Sequence, residues 1–166
     1  MTNGKAVAIV QWNCRGLGPN FKEVKHNMAD FSPYIFCLQE TFLKKSDSIT
    51  FKGYSAYNRT NISHRDNKEN GGGSMLIENG VSHTLLHLHT NLQAVAAQVT
   101  IHQTITVCSI YIPPRYKLRK DEIDQLTNQL PTPILLLGDF NAHSGLWGCV
   151  KYQSGRQNRC NHSRQD

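Results

Sequence analysis

The chain has 166 residues, 39% of them hydrophobic and 18% charged, which suits a single soluble globular domain. A formal charge of +6 and a pI near 9.2 favour a polyanionic partner. The only N-terminal apolar run, 6–10, is too short for a signal peptide or a membrane span, so the expectation is a soluble intracellular protein.

Residues 6–12 (AVAIVQW) read as a strand that ends in Asn13-Cys14-Arg15-Gly16-Leu17-Gly18-Pro19. Asn20 stands where a helix N-cap is expected, and Glu23 completes a capping-box pattern. Phe21, Val24, Met28 and Phe31 recur at helical spacing, and Ser32-Pro33 stops the helix. A second apolar run, 34–38, ends in Gln39-Glu40-Thr41, and two such runs around one helix predict a parallel β-α-β unit. Residues 53–57 give a short strand, and 58–70 give the longest loop-like segment. Gly71-Gly72-Gly73 then leads into 74–78, Asn79-Gly80 and 81–86, which reads as a hairpin closed by a type I′ turn. Val95, Ala97, Val99 and Ile101 alternate with polar neighbours, and 104–112 is expected to pair with them. Ile123, Leu126 and Leu130 mark a second helix, with Asp121 and Glu122 near its positive end.

Pro131 and Pro133 lead into 134–137, four apolar residues in a row and so a strand expected to be buried on both sides. Gly138, Asp139, Phe140 and Asn141 follow. An extended backbone would send Asp139 and Asn141 to one side and anchor Phe140 in the core. Past Trp147 the apolar periodicity fails, which divides the chain into a domain, 1–148, and a basic irregular tail, 149–166. Cys14, Cys37 and Cys108 lie in apolar runs and read as buried small hydrophobes; with Cys149 and Cys160 they form no C-x-x-C pair.

Four apolar runs thus end in groups suited to phosphate chemistry: Asn13, Glu40, Tyr111 and the Asp139/Asn141 pair. Hydrolysis of a phosphodiester needs a hard cation, an aligned water and donors for the growing negative charge. Glu40 offers the cation a hard oxygen, Asp139 suits water activation, Asn13 and Asn141 can hold phosphate oxygens or metal-bound water, and Tyr111 can donate to the phosphate. Taken singly, each is better explained as a structural side chain, Glu40 as a surface carboxylate and Tyr111 as a half-buried strand tyrosine; it is their joint occurrence that points to a site.

These pieces, Gln11-Trp12-Asn13, Leu38-Gln39-Glu40-Thr41, Gly71-Gly72-Gly73, Ile110-Tyr111-Ile112-Pro113-Pro114 and Leu137-Gly138-Asp139-Phe140-Asn141-Ala142-His143, come in one order. In that order the chain resembles the exonuclease–endonuclease–phosphatase superfamily, and within it the apurinic-endonuclease-like domain of jockey-type non-LTR retrotransposons. The resemblance implies a four-layer α/β sandwich and a DNA-nicking endonuclease dependent on Mg²⁺ (or Mn²⁺). It implies that the nick primes reverse transcription by a polymerase of the same element, with chromosomal DNA in the nucleus as the target. It puts Asn13 and Glu40 in the metal and phosphate shell, Tyr111 on the scissile phosphate, and Asp139 on the water with Asn141 beside it. Family members also carry a Ser-Asp-His motif, which this sequence lacks. The expectation is therefore a C-terminally truncated copy, mainly the first sheet and its helices with the second sheet largely missing, poorly active and marginally folded.

The leading alternative is a catalytically dead, nucleic-acid-binding remnant, with Arg59, Arg115 and Lys117 among the phosphate contacts. A dinucleotide fingerprint fails because its third glycine falls at Phe21. Zinc ligation by His143, Cys149, Cys160 and His162 matches no familiar spacing. Another branch of the same superfamily, acting on inositol phosphates or sphingomyelin, shares most of the groups, and the Tyr-Ile-Pro-Pro and Asn-Ala-His-Ser-Gly-Leu-Trp-Gly runs favour the retrotransposon branch by resemblance.

Overall fold

The computed structural model describes residues 7–60 and 71–141. The β-α-β unit forms as its spacing predicts: β1 (Ile9–Asn13), α1 (Phe21–Phe31) and β2 (Ile35–Gln39), with β1 and β2 parallel from Ile9↔Ile35 to Asn13↔Gln39. Val24 and Met28 carry the buried stripe of α1, whereas Phe31 is exposed. The expected capping box does not form. Asn20 instead turns its amide back to donate to the Cys14 carbonyl at 2.7 Å and the Gly16 carbonyl at 3.2 Å, which ties down the loop after β1.

The sheet is completed by β3 (Tyr54–Arg59) and β4 (Gly73–Glu78) in the order β1-β2-β4-β3. The Asn79-Gly80 signal marks a real turn, with the Val81 N–H donating to the Glu78 carbonyl at 2.9 Å. It does not close a hairpin. Val81 is buried between the sheets, and the chain crosses there to start a second sheet with β5 (Ser82–Leu86). β6 (Gln93–Thr100), β7 (Thr104–Tyr111) and β8 (Ile134–Asp139) complete it in the order β5-β6-β7-β8. The sandwich class is as expected, but the second sheet, expected to be largely missing, is present with four strands. The sequence reading assigned β4 and β5 to one hairpin, and the turn alone does not say to which partner each strand goes. With this sheet in place, the first sheet's inner face is covered by apolar side chains of the second rather than left to solvent.

Alternation along each strand sorts the core into layers. Ile35, Cys37, Met75, Ile77, Val95, Val99 and Val107 meet between the sheets. Phe36, Leu38 and Leu76 face α1 together with Val24 and Met28. Ala94, Ala96, Cys108 and Ile110 face the second helix, α2 (Lys120–Thr127), through Leu126. Cys14, Cys37 and Cys108 are buried free thiols, as expected.

β8 is half-buried rather than buried on both sides. Among the described residues it pairs only with β7, in parallel, so it forms the margin of its sheet. Leu135 and Leu137 face the other sheet, while Ile134, Leu136 and Phe140 face the α2 layer. Gly138 is required where it stands: its φ is +154°, and a Cβ there would lie 1.8 Å from the Ile110 carbonyl oxygen. No helix among the described residues is long and apolar enough to cross a membrane.

Candidate active site

The inner faces change character at one end of the sandwich. Along β1 the inward positions run Ile9, Gln11, Asn13; along β2, Ile35, Cys37, Gln39; along β7, Val107, Ser109, Tyr111; along β8, Leu135, Leu137, Asp139. Each begins apolar and ends polar. Because β1 packs over β8 and β2 over β7, these polar ends face one another.

Gln39 lies deepest and joins its neighbours on both sides. The Gln11 amide donates to Gln39 Oε1 at 2.5 Å, and Gln39 Nε2 donates across the sheets to Ser109 Oγ at 3.0 Å. Gln39 is fully buried, so this chain of amides satisfies polar groups that would otherwise be costly. It also fixes the spacing of the sheets directly beneath the next layer of side chains.

In that layer Asn13 Nδ2 donates to Asp139 Oδ2 at 2.8 Å, joining the first sheet to the second. Asn13 Oδ1 accepts the Arg15 N–H at 3.1 Å, so both ends of its amide are used. Asp139 Oδ1 accepts the Asn141 N–H at 3.0 Å. On the neighbouring strands the Tyr111 hydroxyl donates to Glu40 Oε1 at 3.2 Å. Tyr111 and Asp139 are register partners in the β7–β8 ladder, and both carboxylates act on the Tyr111 phenol. Burial, then Glu40, then Asp139 push that phenol's pKa far above its ordinary value, so it stays protonated and remains a donor. Asn13, Glu40, Tyr111 and Asp139 thus converge, with Asn13 and Asp139 lining an open cleft of about 630 Å³ together with Arg15 and Asn20.

Asn141 is beside them but oriented differently from the extended-strand expectation. Its φ is +44°, and its Nδ2 donates to the Ile112 carbonyl at 2.8 Å. The amide is committed to holding the end of β8 against the segment after β7. Among the described residues, four of the five non-glycine residues with positive φ (Arg15, Glu40, Phe42 and Asn141) border the site. Such conformations cost about 1–3 kcal/mol each and persist where the surroundings over-determine them.

Gly71 and Gly72 form the wall behind Tyr111. A Cβ on Gly71, whose φ is +83°, would meet the Tyr111 ring at 2.2 Å. The buried Gln93 side chain accepts the Gly72 N–H, and Gly71 and Gly72 carbonyls accept the Phe42 and Thr41 N–H groups. The glycine run therefore lets backbone approach the tyrosine and braces the Glu40 turn. Arg59 lies further out, at the end of β3, exposed and donating to the Thr90 carbonyl at 3.0 Å. Arg115 and Lys117 are exposed in the turn that follows Tyr111. His143, Cys149, Cys160 and His162 lie outside the described residues.

Gln11, Gln39, Gln93 and Ser109 were not among the residues expected from sequence, because structural amides and hydroxyls carry no motif of their own; of the four, Gln39, Gln93 and Ser109 are buried. The change from apolar to polar at every second residue was the signal that could have found three of them. As a donor set, the site suits a hard cation: Glu40 Oε1 accepts from Tyr111, while Oε2 accepts no protein hydrogen bond among the described residues. Two carboxylates, Glu40 and Asp139, are the acidic oxygens available to such a cation, and Asp139 faces the open cleft.

Comparison with known proteins agrees with this architecture. A telomere-specific non-LTR retrotransposon's endonuclease domain, TRAS1, superposes with a TM-score of 0.62 at 20% identity, covering 84% of this chain and 63% of that one. An AP endonuclease from Archaeoglobus fulgidus gives 0.53 at 18% identity, covering 81% and 57%. By sequence the chain is 27% identical over 154 residues to the probable RNA-directed DNA polymerase from transposon X-element of Drosophila melanogaster, and 26% over 141 residues to that from mobile element jockey of the same species. The alignments take in 91% and 82% of this chain but span only 16% and 15% of those relatives. Residues 10–161 match the Endonuclease/Exonuclease/phosphatase family, a span reaching into the stretch beyond 148 that the sequence reading set apart as a tail. With the match covering nearly all of the chain, and the strand-end constellation lying within it, the protein belongs to the Endonuclease/Exonuclease/phosphatase family.

Proposed function

We propose that the chain is a phosphodiester hydrolase dependent on Mg²⁺ (or Mn²⁺), the DNA-nicking endonuclease domain of a non-LTR retrotransposon whose nick primes reverse transcription by a polymerase of the same element. The supporting observation is the pairing of Asn13 with Asp139 and of Tyr111 with Glu40, which gathers groups from both sheets at one end of the sandwich, Asn13 and Asp139 lining the cleft there. The jockey and X-element relatives and the TRAS1 likeness favour DNA and a retrotransposon setting.

In this reading Asp139, oriented by the Asn13 amide and the Asn141 N–H, aligns the attacking water and takes up its proton. Tyr111 donates to a non-bridging phosphate oxygen, and its raised pKa keeps that proton in place at neutral pH. Glu40, with Asn13 close by, would hold the divalent ion, whose chemistry when bound is to polarise the phosphate and stabilise negative charge in the transition state. Arg115 and Lys117 follow the phosphates away from the cut.

Nicking of supercoiled plasmid tests this. The chain with Mg²⁺ should convert supercoiled to open-circular DNA, and EDTA, Glu40→Ala or Asp139→Ala should abolish the conversion. If plasmid binding falls steeply with salt while no nicking occurs under any metal, the chain is the DNA-binding remnant instead. If neither binding nor nicking is seen, the nucleic-acid assignment is wrong.

A further inference from the structure

The segment Glu40-Thr41-Phe42 is clamped from two sides. Its carbonyls at 40 and 41 accept the N–H groups of Gly16 at 2.6 Å and Leu17 at 3.0 Å. Its N–H groups at 41 and 42 donate to Gly72 at 3.4 Å and Gly71 at 2.8 Å. Two residues of this short stretch, Glu40 at φ +52° and Phe42 at φ +49°, hold left-handed backbone that bulky side chains avoid. Thr41 is buried, yet the Phe42 side chain stands 43% exposed at the lip of the site. Its ring lies over Gly16, with Cδ2 3.5 Å from where a Cβ on that glycine would sit; Arg15, the residue before that glycine, lines the cleft.

An isolated exposed aromatic is ordinary on a protein surface. This one is unusual because the backbone under it is both strained and rigidly held. Its neighbours fix the ring two residues from the Glu40 carboxylate, while one face stays in water. A flat apolar face prepared in advance and wetted on one side is the form of a stacking platform for a nucleobase. Arg15, one residue before the glycine under the ring and part of the cleft lining, offers the positive charge that a flanking phosphate needs.

We propose that Phe42 stacks on a base adjacent to the phosphate held at Glu40 and Asp139, so that the site selects DNA in which that base can leave its own stack. This rests on the nuclease reading above and adds a base-recognition subsite to it. It predicts faster cutting at flexible pyrimidine–purine steps, mismatches or single-stranded stretches than within stiff duplex.

The test uses the full chain and an oligonucleotide carrying 2-aminopurine, with nicking and binding measured side by side. Stacking quenches the fluorophore when wild-type protein binds. Phe42→Ala should lose that quenching and weaken single-strand binding by about 5- to 100-fold, and Phe42→Trp should restore both. Phe42→Asn separates function from folding. Asparagine tolerates positive φ, so the variant should unfold at an equal or higher urea concentration while binding as poorly as Phe42→Ala. Wild-type binding and quenching retained in both Phe42→Ala and Phe42→Asn, with nicking intact, would overturn the stacking subsite and leave the nuclease reading standing. Absence of any DNA binding or nicking by the wild-type chain would remove both.

Discussion

Gly138→Ala probes the seam that carries Asp139. The new methyl group would start 1.8 Å from the Ile110 carbonyl oxygen and 2.8 Å from its carbon, both of them backbone atoms of a buried strand that have no rotamer to change. Ordinary contact lies near 3.5 Å, so the strands would have to part by about 1.5 Å. That is enough to break the local N–H···O bonds of the β7–β8 ladder. Two such bonds at about 1 kcal/mol each, with about 1–3 kcal/mol for alanine at this φ, give roughly 3–5 kcal/mol. A typical domain margin is about 5–15 kcal/mol. In urea, with a slope of about 1–3 kcal/mol per molar, the midpoint should fall by at least about 1 M. Gly18→Ala is the internal control, since nothing lies within 4 Å of its would-be Cβ, and it should stay within about 0.5 kcal/mol of wild type. A Gly138→Ala variant with a wild-type midpoint and slope would refute the close approach, and with it the register that sets Asp139 beside Tyr111.

Tyr111→Phe removes one donor from the site while keeping the ring against Gly71; nicking should drop about 10²- to 10³-fold, with stability changed by no more than about 1 kcal/mol in urea. Gln39→Leu leaves the buried Ser109 hydroxyl unpaired and should cost about 1–3 kcal/mol, part of which Ser109→Ala should restore in the double variant. Burial raises the thiols of Cys37 and Cys108 to about 12 and that of Cys14 to about 11. Folded-state values above the unfolded ones mean that stability is intact below about pH 8.5 and is lost as pH rises towards 11–12. Urea midpoints should therefore fall steadily above pH 9, and Cys37→Ala combined with Cys108→Ala should flatten that fall; a midpoint that holds from pH 8 to pH 11 would show that these thiols are not buried.

Local chemistry was readable in the residues, and pairing partners were not. The parallel β-α-β unit followed from the stripe through Val24 and Met28 and from the apolar runs on either side of it. Asn79-Gly80 announced a turn correctly, but only the burial of Val81 between the sheets reveals that the turn changes sheets. The Asp139–Asn141 geometry also escaped the reading. An extended backbone was assumed, whereas the Asn141 N–H folds back to the Asp139 carboxylate and its amide serves the Ile112 carbonyl. The five residues nominated from sequence lie at one end of the sandwich: Asn13, Tyr111 and Asp139 close inward-facing rows that turn polar at the same level, while Glu40 and Asn141 follow in left-handed backbone just past β2 and β8. The amides beneath them went unseen, since Gln39 and Gln93 acquire meaning only when the other sheet lies opposite.

The most direct measurement is a double-mutant cycle in plasmid nicking on Asn13→Ala and Asp139→Ala, one residue from each sheet. Groups that act as a unit lose most of their effect on the first removal. The double variant should therefore be about as slow as Asp139→Ala alone, far from the product of the two single losses. Losses that multiply independently would contradict a single shared site, whatever activity the chain displays.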